Sequence, residues 1–228
     1  MTAYETIFVR RSARRYDKKA LNERDLADIR QFLDSAKQLT GQSARFEIVN
    51  ADKLRGCAAP HAVLAFAGDG DAAALNIGYA LQGLDLYAQS RGLGSLWMGM
   101  AKPVEKREDY RCLLAFGKTD APFRAGEQDF KRKSVWEISN EDNAVARAAR
   151  LAPSAANFQP WKLDFSPGKV TVRYNGQGIG KLLVGGLQMI DLGIVLKYVE
   201  LALEHEGKKA AITARGSGKS FAVEAAYT

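Results

Sequence analysis

Two short stretches carry side chains whose chemistry goes beyond packing. The first is Ala152-Pro-Ser-Ala-Ala-Asn-Phe-Gln-Pro-Trp161, entered from a helical pattern (Val145, Ala148, Ala149, Leu151) and left by a strand pattern (Leu163, Phe165). Pro153 lacks an N–H and disfavours continuing the helix. Ser154 and Asn157 then offer short polar side chains and free amides at a helix-to-strand junction, a common place for a ligand. The same residues also fit a plain connector. The second stretch, Arg10-Arg-Ser-Ala-Arg-Arg-Tyr16, packs four arginines and a serine into six residues. Their forked donors suit a phosphate or another dianion. A solvated basic arm is the competing reading.

Two further segments belong with these: Gly92-Leu-Gly-Ser-Leu-Trp-Met-Gly-Met100 and Lys131-Arg-Lys133. Together the four, spanning residues 7–165, resemble the nitroreductase-like flavoprotein family. That resemblance implies an α+β fold, a central and mostly antiparallel sheet flanked by helices, with FMN bound between two subunits. By resemblance Arg10, Arg14, Lys131 and Lys133 would neutralise the FMN phosphate and Ser12 would donate to it. Arg11 would lie near the pyrimidine edge or ribityl chain. The amides of Met98 and Gly99 would lie near flavin N5 and O4, and Pro153, Ser154, Ala155 and Asn157 would line the ring and ribityl from the other side. No catalytic side chain is required, because the redox chemistry is the cofactor's.

The implied function is an FMN-dependent oxidoreductase. In a ping-pong cycle it would pass hydride from NAD(P)H to a nitroaromatic, a quinone or free flavin. A protein that holds FMN without turnover is the alternative. A basic nucleic-acid-binding α+β protein is a third, since the net charge is +7. The cations, however, are scattered apart from residues 10–15 and 131–133, without the basic stripe of a nucleic-acid reader.

Composition narrows the rest. A hydrophobic content of 46% with 26% charge suits a soluble globular chain, and no apolar run reaches the length of a membrane span. Cys57 and Cys112 form no metal spacing and imply a reducing, cytoplasmic setting. His61 and His205 are the only histidines, which argues against a zinc site or a histidine-based triad. Gly216-Ser-Gly-Lys-Ser220 echoes a phosphate loop but lacks its first glycine and its helix, and the Gly176, Gly178, Gly180 run reads as a loop. Trp97 and Trp161 read as core, with stacking on a substrate as the less favoured role.

The elements that must position these residues follow from periodicity and caps. Helices are expected over Ala20–Leu39, capped by Asn22, over Ala72–Arg91, ended by Gly92, over Glu141–Arg150, capped by Ser139, and over Met189–Glu206. Strands are expected over Arg45–Val49, Ala62–Ala67, Leu96–Met100, Arg111–Phe116, Lys162–Phe165, Lys169–Tyr174, Ala210–Arg215 and Ser220–Ala226. A shift of 115 residues lays Gly78 on Gly193, Leu81 on Leu196, Leu86 on Leu201 and Gly92 on Gly207; a shift of 117 lays Gln42 on Gln159 and Phe46 on Leu163.

The chain therefore reads as two divergent copies, 1–140 and 141–228, fused as a pseudo-dimer that stays a monomer. The first copy keeps the arginines and the Gly-Leu-Gly-Ser segment but has Ala36-Lys-Gln-Leu-Thr40 where the Pro-Ser turn belongs. The second keeps the turn and lacks the arginines. One complete site per chain is the expectation.

Overall fold

The structure, a computed structural model, describes residues 1–176, 187–216 and 221–228. The glycines at 178, 180, 185 and 186, and most of the Gly216–Ser220 phosphate-loop echo, lie outside the described residues. The helices are α1 (Ala3–Ile7), α2 (Glu23–Asp34), α3 (Asp71–Ser90), α4 (Val135–Ile138), α5 (Ala144–Arg150) and α6 (Gln188–His205). The strands are β1 (Arg45–Asn50), β2 (His61–Phe66), β3 (Gly94–Met98), β4 (Tyr110–Gly117), β5 (Trp161–Ser166), β6 (Lys169–Tyr174), β7 (Ala210–Arg215) and β8 (Ala222–Tyr227). No helix among the described residues is long and apolar enough to cross a membrane.

These strands form two four-stranded antiparallel sheets, ordered β1-β2-β4-β3 and β5-β6-β8-β7, beside a two-residue antiparallel pair of Leu54–Arg55 with Lys102–Pro103. Each sheet takes its first, second, fourth and third strand in that order, and each places its long helix between the second and third. The same topology twice in one chain is a fused pseudo-dimer. The two long helices, α3 and α6, pack on each other at its centre. Their crossing is glycine on glycine: a Cβ built on Gly78 would meet the Gly193 Cα at 3.0 Å and the Ile190 carbonyl oxygen at 1.9 Å. Gly78 and Gly193 are the pair that the 115-residue shift superimposes.

Burial follows the layers. β5 alternates, with Trp161, Leu163 and Phe165 inward, as expected of a sheet with one face on the core. β2 is buried at every residue, because Val63 and Ala65 face the helices while Ala62, Leu64 and Phe66 face a second cluster with Leu54, Leu113 and Ala115.

Local chemistry sets the ends. Asn22 caps α2, its side chain accepting from the Asp25 N–H, and Gly92 and Gly207 follow α3 and α6 at φ of 81° and 75°, backbone that favours glycine. One expected boundary is corrected. Ser139 does not cap the helix before Arg150; α5 begins at Ala144, with the Asn143 side chain accepting from the Ala146 N–H. Ser139 instead ends α4 and bridges to Leu163 of β5, its Oγ accepting from the Glu141 N–H. Asn143 wins because its side chain already satisfies an N–H of the first turn. Both short helices, α1 and α4, begin with capping boxes, Thr2 with Glu5 and Ser134 with Glu137, that the helical periodicity did not reveal.

Candidate functional site

The arginine-rich arm is fastened to the edge of the first sheet. Ser12 bridges in parallel to Ser95 of β3, and the Ala13 N–H donates to the Ser95 carbonyl at 3.0 Å. The Arg11 N–H donates to Gln89 Oε1 at 2.8 Å. Beneath the arm lies a buried polar network on one face of α3, built by Gln82, Asp85 and Gln89. Asp85 accepts from Gln82 at 2.7 Å, from Gln89 at 2.9 Å and from Ser95 Oγ at 2.5 Å. Gln82 in turn accepts from Trp97 Nε1 at 3.1 Å. A satisfied network of this kind rigidifies what it touches. Here it joins the arm to β3, whose far end carries Met98 and Gly99.

The arginines separate into two kinds. Arg11 and Arg14 are exposed and Ser12 is half-buried. Arg10 is only 2% exposed, its Nε 2.9 Å from Asp85 Oδ2. That contact is close in distance but lacks hydrogen-bond alignment, so among the described residues Nε and Nη2 of Arg10 both remain without a hydrogen-bond partner. Burial opposes the Arg10 charge, and Asp85 more than offsets it, holding the pKa above its ordinary value.

The Pro-Ser turn is held in an uncommon backbone conformation. Ala156, Asn157 and Gln159 have φ of 47°, 60° and 48°, which side-chain-bearing residues adopt only when their surroundings hold them there. The surroundings are identifiable. Ser154 Oγ accepts from the Gln159 N–H at 2.8 Å, and Asp191 of α6 accepts from the Ala155 N–H at 3.0 Å. The 131–133 segment is stitched to the same turn: Asn157 Nδ2 donates to the Lys131 carbonyl at 2.9 Å, and the Lys133 N–H to Gln159 Oε1 at 2.9 Å. Lys133 Nζ is occupied by the Gln159 carbonyl at 3.2 Å, and Lys131 is exposed. The residue between them, Arg132, does more than either. Its guanidinium donates to Asn157 Oδ1 and to the Leu151 carbonyl at 3.3 Å.

Arm and turn meet through two arginines absent from the sequence-based set. Arg124 donates to the Arg10 carbonyl at 3.2 Å, and Arg124 and Arg132 both stand over the Phe130 ring, at 4.5 and 5.8 Å. Burial first, and then the charge of Arg10, push the Arg132 pKa down to about 10. Arg124 is depressed by burial and by Arg10 and Arg11. Tyr198 of α6 feels the charges of Arg10 and Arg132, and its hydroxyl, like Arg132 Nε, is buried without a partner among the described residues. Among the described residues neither Arg124 nor Arg132 has a carboxylate at ion-pair distance. The junction is therefore a cationic, partly dry place with open donors. Elsewhere, Gly99 at the end of β3 approaches the second half, where a Cβ would lie 3.0 Å from Leu187 Cδ1.

The remaining candidates are structural. Trp161 is 1% exposed in the core, and Trp97 is half-buried in the Asp85 network. His61 Nε2 accepts from the Leu21 N–H at 2.9 Å, and His205 stacks on Tyr4.

Comparison with known proteins agrees with this architecture. A family model described as "Putative TM nitroreductase" matches residues 2–203. A crystal structure of a "putative nitroreductase" from Thermotoga maritima superimposes with a TM-score of 0.75 at 20% identity, covering 99% of this chain and 94% of that one. A nitroreductase family protein from Clostridium difficile superimposes with a TM-score of 0.50 at 17% identity, covering 63% of this chain and 100% of that one. No curated protein matches the chain. With the family model extending over nearly the whole of a duplicated α+β fold, the chain belongs to this nitroreductase family.

Proposed function

We propose that the chain is an FMN-dependent oxidoreductase that moves hydride from NAD(P)H to a small acceptor, with one flavin at the junction of its two copies, residues 1–140 and 141–228. The observation that carries this reading is the junction itself. Among the described residues Arg10 Nε and Nη2, Arg132 Nε and the Tyr198 hydroxyl are buried with no hydrogen-bond partner, beside exposed Arg11 and Arg14. Buried donors left open are costly and point to an acceptor-rich occupant. A phosphate dianion with a polar chain fits that donor set.

In this reading Arg14, Arg124, Arg132 and Lys131 balance the phosphate, Ser12 donates to it and Lys133 braces the turn. Arg11 stands toward the ribityl or pyrimidine edge. Met98 and Gly99 present backbone from β3, and Pro153, Ser154, Ala155 and Asn157 form the opposite wall. The two-electron chemistry is the isoalloxazine's; the chain contributes position, positive charge and exclusion of water.

The pseudo-symmetric partner of the site has been filled. Glu200, 115 positions after Asp85, is bound by Lys197 at 2.7 Å, by Lys37 at 3.0 Å and by the Tyr79 hydroxyl. Lys37 belongs to the stretch that replaces the Pro-Ser turn. In this second cluster one carboxylate answers both lysines and the hydroxyl, whereas the first leaves donors open among the described residues. Extracted, saturated protein should therefore yield one FMN per chain, and NAD(P)H should bleach the flavin absorbance in the absence of oxygen. Two FMN per chain would defeat the one-site reading, and a spectrum unchanged by NAD(P)H would leave flavin binding without turnover.

The exposed arginine of the clamp gives a cleaner test than the buried one. Arg14→Ala should weaken FMN by roughly 10- to 150-fold, the weight of one hydrogen bond to a charged group, and riboflavin by less than about threefold. Equal losses for the two ligands, read by fluorescence quenching, would remove Arg14 from the phosphate site.

A further inference from the structure

Asp191 lies in the first turn of α6, 2% exposed, and both its oxygens face the Ala155 amide, at 3.0 and 3.3 Å. Among the described residues no cation stands at ion-pair distance from it, and a carboxylate buried in that way is expensive. Burial pushes its pKa up to about 7, and the Ala155 amide works in the opposite direction. The amide it holds belongs to the turn whose next two residues, Ala156 and Asn157, have φ of 47° and 60°. Such backbone persists only where outside contacts over-determine it.

The other half supplies an independent observation. The residue 115 positions earlier, Asn76 of α3, is 0% exposed. Its Oδ1 accepts from the Leu39 N–H at 2.7 Å and the Thr40 N–H at 3.2 Å, in the stretch that stands where the Pro-Ser turn would be. One helix position thus anchors the corresponding loop in both copies. Asn76 also donates, to Thr40 Oγ1 at 2.9 Å and the Gln42 carbonyl at 2.6 Å, and so closes its loop against itself. Asp191 receives through Ala155 and leaves Asn157 to be held from the other side by Arg132 and Lys131.

We propose that Asp191 is the positioning residue of the flavin wall: by holding the Ala155 amide it fixes where Ser154, Ala155 and Asn157 stand against the cofactor. This rests on the reading of the turn given under Proposed function. Asp191→Asn keeps an oxygen for the amide, as Asn76 does. Asp191→Ala removes it, and Asp191→Leu removes it while filling the space.

FMN binding to the full chain, and amide exchange of residues 152–160 in the cofactor-free protein, test the proposal. With Ala or Leu, FMN affinity should fall at least about tenfold and exchange should quicken by a similar factor, while Asn stays within about threefold of wild type in both. Wild-type affinity in Asp191→Leu would overturn the proposal, as would an Asn variant no better than Leu. If wild-type protein takes up no FMN, the flavin reading falls, and with it the wall; the exchange measurement would then show separately whether Asp191 anchors the turn.

Discussion

Gly78→Ala and Gly193→Ala should each leave little folded protein. A Cβ on Gly78 would stand 1.9 Å from the Ile190 carbonyl oxygen, and one on Gly193 would stand 2.1 Å from the Leu75 carbonyl oxygen and 2.7 Å from the Tyr79 nitrogen. Both obstacles are backbone, so no rotamer change relieves them and the helices themselves must part. Overpacking costs about 1–3 kcal/mol when side chains can yield, and more is expected where they cannot. The contacts are also reciprocal: Gly78 meets Ile190, Gly193 meets Leu75, and both pairs of equivalents lie 115 positions apart. A self-complementary contact of that kind belongs to a two-fold dimer interface, here inside one chain. The two variants should consequently fail to a similar degree in thermal melts and soluble yield. Gly83→Ala is the control. Its Cβ would meet only side-chain tips, the Phe32 ring at 3.2 Å and Lys197 Cε at 3.6 Å, and removing a mid-helix glycine gains up to about 1 kcal/mol. Melting of Gly78→Ala within about 2 °C of wild type, less than the shift expected from 1 kcal/mol, would contradict the close crossing.

The glycine pair also shows why part of this architecture was legible. A position where only glycine fits is visible in sequence as an unexplained glycine in a helix, and two of them in register reveal the repeat. Strands bounded by clear turns were equally readable: β6 and β7 have the ends that their β-branched runs and flanking glycines imply. The arm, the turn and the basic segment were legible as clusters of donors. What joins them was not. Gln82, Asp85 and Gln89 share a helix face, but polar residues in an amphipathic stripe read as solvent-facing until a second layer is known to cover them. Asp191 is hidden for the same reason, as a single acid in a run of apolar residues. The resemblance implies Lys131 and Lys133, whereas it is the planar fork of Arg132 between them that reaches two acceptors at once. Ser139 could not be told from Asn143 as a cap, since both precede the helix by a few residues and the choice is made by β5, which takes up Ser139.

Arg10→Ala should damage the fold before it damages phosphate binding. As the first arginine of the basic arm, Arg10 is a phosphate ligand by the family resemblance, yet it is 2% exposed and ion-paired with fully buried Asp85. Removing one member of a buried ion pair leaves the other charge stranded and costs about 3–5 kcal/mol. For a chain of this size that amounts to a melting temperature lower by roughly 6–20 °C in the cofactor-free protein. Because Asp85 also holds Ser95 and Gln89, which in turn hold Ala13 and Arg11, the arm should loosen with it. FMN and riboflavin should then weaken together, in contrast to the phosphate-selective loss expected of Arg14→Ala. The pair Arg10→Met with Asp85→Asn removes both charges while keeping an acceptor oxygen for the donors of Gln82, Gln89 and Ser95, and should recover part of the lost stability, since replacing a buried ion pair by neutral groups is often tolerated. It should not recover FMN affinity, because the open Nη2 donor of Arg10 is gone. Calorimetry of the four proteins in the cycle, with FMN titrations alongside, separates the two roles. An Arg10→Ala protein that melts like wild type and loses only FMN would make Arg10 a ligand residue and leave Asp85 without the structural part assigned to it.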